Sequence, residues 1–209
     1  MPKALVISTC ALAVASEAFG ADITPPASER FEDSLGEEVP DFQKHVVPLI
    51  GRSGCSARDC HGSFQGQGGF RLSLFGYDFA ADHEAITKGI GDSEQQRVDP
   101  NVPEESLLLK KPTRTVAHEG GKKFAPDSWQ YLLLRRWIEG GAQGTQEKAR
   151  LSKLEVLPAE ITFSPSAAVV PLRVIARWED GTSEDITCLS RFQSNNEGYI
   201  RYSQRAFIT

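Results

Sequence analysis

The sequence predicts a multidomain chain, an all-α domain followed by a partial all-β sandwich. Three observations predict it. From Pro40 to about Gln143 the chain forms short apolar patches at helical spacing, broken by Gly and Pro. Beyond Gly140, Gly141 and Gly144 the texture changes to short runs that alternate apolar with polar, as half-buried strands do. The 209 residues, 40% apolar and 24% charged, suffice for two cores and match neither a disordered chain nor a multi-span membrane protein.

Met1 to Gly20 has the layout of a secretory signal: Lys3, an apolar run from Ala4 to Ala15, then small residues offering Ala18-Phe19-Gly20 or Ala13-Val14-Ala15 for cleavage. The run is shorter than the about 20 apolar residues a membrane-spanning helix needs. Its removal is expected, which places the remainder in the periplasm or outside the cell with no membrane span. Residues 21–39 are rich in Pro, Ser, Glu and Asp and read as a linker. Asp41 to Ile50 reads as a first helix, short or bent because Pro48 has no amide hydrogen.

A second helix is expected over Ser128 to Glu139, with Asp127 as cap, Gln130 at the capping-box position and Gly140-Gly141 at its end. Its stripe of Trp129, Leu132, Leu133 and Trp137 should pack on Phe42, Val46 and Leu49. The helical domain is assigned to 40–146, a boundary segment to 147–153 and the β-domain to 154–209. In the last, Leu154 to Pro158 and Leu172 to Trp178 read as strands, and Glu179-Asp180-Gly181-Thr182 as a turn. Cys188 is expected on a strand as a buried apolar residue.

The formal net charge is −5, with acidic and basic residues mixed along the chain. That pattern offers no basic face of the kind nucleic acid requires, so nucleic acid is excluded as a partner. Three cysteines follow the signal, and an odd number in an exported chain does not make a disulfide framework.

The strongest chemical signal is Gly54-Cys55-Ser56-Ala57-Arg58-Asp59-Cys60-His61-Gly62. Covalent heme attachment needs two thiols for the two vinyl groups and an imidazole beside the second thiol to reach the iron. The usual C-x-x-C-H spacing is here C-x-x-x-x-C-H, and the two extra residues can bulge outward without moving His61 from Cys60. A Cys55–Cys60 disulfide and a zinc site remain alternatives.

An iron held by His61 needs a second ligand or an open face. The single methionine is Met1, inside the signal, which leaves His45, His83 and His118. His118 stands in the glycine-rich Ala117-His118-Glu119-Gly120-Gly121 loop, where the backbone can approach a flat macrocycle, and is the expected ligand. His45 is expected to pack or face solvent and His83 to lie on the surface. Phe64, Phe70, Leu72, Leu74 and Phe75 offer apolar wall, while Arg52, Arg58, Arg71 and Lys122 are candidate partners for the heme carboxylates.

The Asp41 to Cys60-His61-Gly62 stretch, the His118-Glu119-Gly120-Gly121 loop and the closing Trp137-Ile138-Glu139-Gly140-Gly141 resemble the planctomycete cytochrome c-like domain. The resemblance covers about half of the chain. It implies a small all-α cytochrome c-like fold with covalent heme, and a histidine-glycine-glycine loop where ordinary cytochromes place methionine. Leu154 to Pro158, Arg177-Trp178-Glu179-Asp180-Gly181-Thr182, Asp185-Ile186-Thr187 and Ser194-Asn195-Asn196 resemble the group 2 bacterial immunoglobulin-like domain. An immunoglobulin-like sandwich needs about 100 residues, so this copy is expected to be incomplete.

The combined expectation is an exported c-type cytochrome domain. It carries one heme c (iron) on Cys55 and Cys60, has His61 and His118 as axial ligands, and moves single electrons to or from a redox partner protein. Two imidazoles leave no substrate position, so a carrier is expected more than a catalyst, at a potential below that of His/Met cytochromes. Two rivals stay open. One is a peroxidase-like heme enzyme with an open distal site. The other is a heme-free adhesion module whose β-domain contacts carbohydrate or a cell surface.

Overall fold

The structure, a computed structural model, describes residues 23–89, 95–145, 150–162, 169–196, Gly198, Tyr202 and 207–208. The expected signal lies outside the described residues, as does part of the expected boundary segment. Among the described residues no helix is long and apolar enough to cross a membrane.

The stretch whose composition reads as a linker contains packed structure: strand β1 (Ile23–Thr24) and helix α1 (Ala27–Arg30). The correction has a physical cause. Ala27 and Phe31 stand four residues apart, share one face of the turn, and are fully buried. The β1 residues pair in parallel with a later strand, Ile23 opposite Ser183 and Thr24 opposite Glu184, a partner no local pattern announces.

The first expected helix begins where Asp41 Oδ1 accepts from the Lys44 amide at 2.7 Å. It then splits into a π-helical turn, Phe42–Val46, and helix α2, Val47–Arg52. Pro48 would supply no i to i−4 donor, and the ladder shifts just upstream: the Val46 amide donates to the Asp41 carbonyl at 3.2 Å, five residues back. Helices α3 (Phe79–Thr87) and α4 (Leu107–Thr113) follow.

Helix α5 spans Trp129–Glu139 with Ser128 at its cap position. Asp127 has φ 60° and does not cap the helix, so the expected Asp127 cap and Gln130 capping box are corrected. The stripe packs as its spacing requires, Trp137 stacking on Phe42 with ring centroids 5.5 Å apart.

The sheet has the order β1-β5-β4-β2, where β2 is Leu151–Leu157, β4 is Arg173–Trp178 and β5 is Ser183–Asp185. Strands β4 and β5 form a hairpin with Gly181 at φ 84° in its turn, a left-handed conformation that glycine adopts without a Cβ clash. Short strands β3 (Val170–Pro171) and β6 (Phe207–Ile208) pair separately. Strand β2 begins inside the segment assigned as boundary, and its Leu151, Leu154, Val156 and Leu157 are exposed.

One hydrophobic cluster joins the two halves. It contains Phe31, Phe42, Val46, Leu133 and Trp137 together with Leu189, and Ile186 and Cys188 pack against it. Cys188 therefore sits beside the core, in a 3-10 turn (Thr187–Leu189) and not on the expected strand.

Candidate heme-binding site

Helix α2 delivers the chain into the cysteine loop, which closes on itself by backbone bonds. The Cys55 amide donates to the Ile50 carbonyl (3.0 Å), the Cys60 amide to Ala57 (3.0 Å), and the His61 amide to Cys55 (2.9 Å). The two residues in excess of the usual spacing are absorbed here: Arg58 and Asp59 point to solvent while Ser56 is buried. Gly62 makes this possible. A Cβ at that position would lie 2.1 Å from the Ser56 carbonyl oxygen, so only glycine lets the loop fold back on the residue that follows His61.

Cys55 and Cys60 are free thiols on this loop. Cys55 packs against the core, and burial pushes its thiol up to about 11, with the Lys123 ammonium opposing and Cys60 adding to the rise. A thiol so buried is held protonated.

His61 presents one nitrogen and hides the other. Its Nδ1 is 3.0 Å from the Phe70 carbonyl oxygen. A carbonyl only accepts, so Nδ1 carries the proton and donates, which leaves the Nε2 lone pair for a metal. The 67–72 segment that provides this carbonyl is fastened to the motif by the Gln67 amide on Cys60 (3.1 Å) and the Leu72 amide on His61 (2.7 Å). The Phe70 ring centroid is 4.7 Å from that of His61, and the Arg97 guanidinium lies 4.7 Å over the other ring. Burial, chiefly, lowers the His61 pKa; bonds to the Phe70 and Gln67 carbonyls oppose it, and the charges of His118 and Arg97 lower it further. The ring is therefore neutral near pH 7, the state a ligand requires.

His118 repeats the arrangement. Its Nδ1 lies 2.9 Å from the Gly121 carbonyl, within a turn closed by the Gly121 amide on the His118 carbonyl (3.1 Å), and its Nε2 is left over. The Lys123 amide on the Pro112 carbonyl (2.7 Å) ties this loop to α4. A Cβ at Gly120 would lie 2.9 Å from both Nε2 and Cε1 of His118, so the loop keeps that nitrogen uncovered only with glycine at 120.

The other histidines are committed elsewhere. His45 is buried, its Nδ1 accepts from the Asp41 amide at 2.9 Å, and its Nε2 meets Glu184 at 3.0 Å, so neither nitrogen is spare. His83 is half-buried with Nε2 2.7 Å from the Ala142 carbonyl and its ring edge-on to Phe42, which corrects the surface reading.

Of the expected apolar wall, Leu72 is buried and Phe70 half-buried, whereas Phe64 and Phe75 are exposed. Arg52 bonds the Ser190 carbonyl and Arg71 lies over Phe64. Among the described residues no group of three or more His, Cys, Asp or Glu stands together.

The donor set is of the kind covalent heme uses: two thiols on one closed loop, an adjoining imidazole bonded through Nδ1, and a second imidazole bonded the same way in the His118 turn. Sequence reasoning missed the Phe70 and Gly121 carbonyls, because every residue has a carbonyl and spacing does not mark which one orients a ring. The chain gives no match to family models, to curated proteins or to solved structures.

Proposed function

We propose that the chain is an exported c-type cytochrome domain that binds one heme c through Cys55 and Cys60, with His61 and His118 as axial ligands, and passes single electrons to or from a redox partner. In the same reading the sheet half is an incomplete immunoglobulin-like sandwich. When bound, the group supplies a reversible one-electron couple at its iron. The chain's residues supply attachment and orientation. Cys55 and Cys60 provide the two sulfurs, and the Phe70 carbonyl fixes the proton on His61 Nδ1, which keeps the lone pair on Nε2. The Gly121 carbonyl does the same for His118. Phe70 and Leu72 exclude water beside His61.

The observation that carries the reading is the His61 Nδ1 bond to Phe70 beside two free thiols. A disulfide would use the sulfurs but leaves the orientation of the imidazole without purpose. The test is a pyridine hemochrome spectrum and an intact mass on protein matured with cytochrome c assembly machinery. The expected result is a c-type α-band and a mass increment of one heme, both lost in Cys55→Ser/Cys60→Ser. Colourless protein of unmodified mass from competent cells would overturn it.

A further inference from the structure

We propose that strand β2 is a self-complementary edge through which two copies of the chain pair antiparallel, extending the sheet across a two-fold axis at Leu154. The proposal stands apart from the heme reading. Strand β2 ends the order β1-β5-β4-β2, so among the described residues it pairs on one side only, with β4. The strands inside the sheet are buried: Val174, Ile175, Ala176 and Trp178 on β4, and all three residues of β5. On β2 no residue is buried. Leu151 is 48% exposed, Leu154 50%, Val156 40% and Leu157 48%.

An edge of this length and apolarity is a template for another strand unless it is guarded, and a charge near its centre is the usual guard. Strand β2 carries two, Lys153 and Glu155, and they guard against every register but one. With the axis at Leu154, Lys153 faces the partner's Glu155 and Glu155 faces the partner's Lys153. Leu154 then meets the partner's Leu154, and Leu151 stands level with the partner's Leu157. Two opposite-charge pairs and an apolar centre follow from a single axis. A slip of two residues one way sets Lys153 against the partner's Lys153, and the same slip the other way sets Glu155 against the partner's Glu155. The charges that would reject those registers therefore select this one.

The charges are already held where the pairing needs them. Lys153 Nζ is 2.6 Å from Glu155 Oε1, and the Arg177 guanidinium of β4 lies 3.0 Å from Glu155 Oε2, so both groups stand on one face of the strand. The register shift between Leu151 and Lys153 leaves residues 153–157 in unbroken pairing with β4. A second copy is the occupant because the Lys-Leu-Glu order maps onto itself under two-fold rotation, as a self-complementary patch requires. One strand pair buries less than the roughly 800 Å² per partner of a standard stable interface, so the dimer is weak and reversible.

The test is sedimentation velocity on the full chain, matured as above, from about 1 to about 300 µM, a range that brackets a weak interface. The expected result is a reversible monomer–dimer equilibrium that stops at the dimer, since the two-fold pairing uses both β2 edges. Lys153→Glu and Glu155→Lys each set like charges opposite one another and should weaken the dimer at least about tenfold. Mixing those two variants restores opposite charges at both positions, so the mixture should form a heterodimer within about threefold of the wild-type affinity. Leu154→Lys, which sets two ammonium groups across the axis and leaves the Lys153–Glu155–Arg177 contacts alone, should give the same loss by a separate route. Circular dichroism should be unchanged in all three, because each side chain lies on the surface of the strand. A chain that stays monomeric across the range would overturn the proposal. So would a dimer that the variants leave unchanged, a mixture no tighter than its components, or association that continues beyond two copies. None of these results touches the heme reading, which fails instead on colourless protein.

Discussion

His45 Nε2 lies 3.0 Å from Glu184 Oε1, and this bond joins the helix leading into the cysteine loop to the middle of the sheet. Both side chains are buried, and Arg30 pairs with the same carboxylate. Removing the carboxylate leaves Arg30 mostly buried without that partner and His45 without an acceptor. Glu184→Ala should therefore cost about 3 kcal/mol, the scale for breaking a buried pair. Urea unfolding followed by circular dichroism checks it. A loss under about 0.5 kcal/mol, as for an exposed pair, would show that the bond does not hold the halves together.

That bond also marks the limit of what the sequence discloses. The helix start at Asp41, the α5 stripe and the Asp180-Gly181 hairpin are legible because each is decided by residues close together in the chain. The closed cysteine loop marks itself in the sequence because both thiols and the histidine lie within seven consecutive residues, 55 to 61. His45 and Glu184 are 139 residues apart, and neither carries a local mark that names the other. The same holds for β1, whose parallel partner is β5, and for His83, whose polarity hides that its ring fits between Phe42 and the Ala142 carbonyl.

The two loop thiols should react unequally in the chain without heme. Burial holds the Cys55 thiol at about 11, roughly two units above an ordinary thiol, so its thiolate is about a hundredfold scarcer near pH 8. Iodoacetamide should modify Cys60 at least about tenfold faster than Cys55 in the native apo chain, read by peptide mass mapping, and denaturant should erase the difference. The raised value also sets a pH window. The buried neutral thiol contributes stability in full below the ordinary thiol value, and that contribution is lost as pH rises through about 11. Equal labelling of the two cysteines in native protein would contradict the burial of Cys55.

Glycines 120 and 121 sit side by side but serve different needs. A Cβ at 120 would press on the far end of the His118 side chain, which yields more readily than backbone, whereas Gly121 has φ 72° and open space around it. Gly120→Ala should thus leave the fold intact and turn the imidazole; on the proposed heme reading, a low-spin spectrum should gain a high-spin component that binds carbon monoxide. Gly121→Ala should instead strain the turn by about 1 kcal/mol. Gly121→Asn, which tolerates left-handed backbone, should recover most of that loss. An unchanged low-spin spectrum in Gly120→Ala would mean that the His118 ring does not depend on that space.

Lys44 bridges the helical half and the hairpin turn. Its Nζ is 2.8 Å from Asp180 Oδ2 and 4.8 Å from the Trp178 ring centroid. Hydrogen bonds from Lys44, first, and from Thr182 hold the Asp180 carboxyl down at about 2. A depressed carboxylate contributes stability above its ordinary value near 4, and the contribution drains away as pH falls towards 2. Wild type should therefore melt above Asp180→Asn at pH 6, and the two melting temperatures should converge by about pH 2. Because the pair is partly exposed, salt should narrow the gap at pH 6 as well. A gap that persists unchanged at pH 2 would assign the effect of the substitution to the turn geometry that Asp180 Oδ1 fixes through the Thr182 amide at 2.8 Å, and not to its charge.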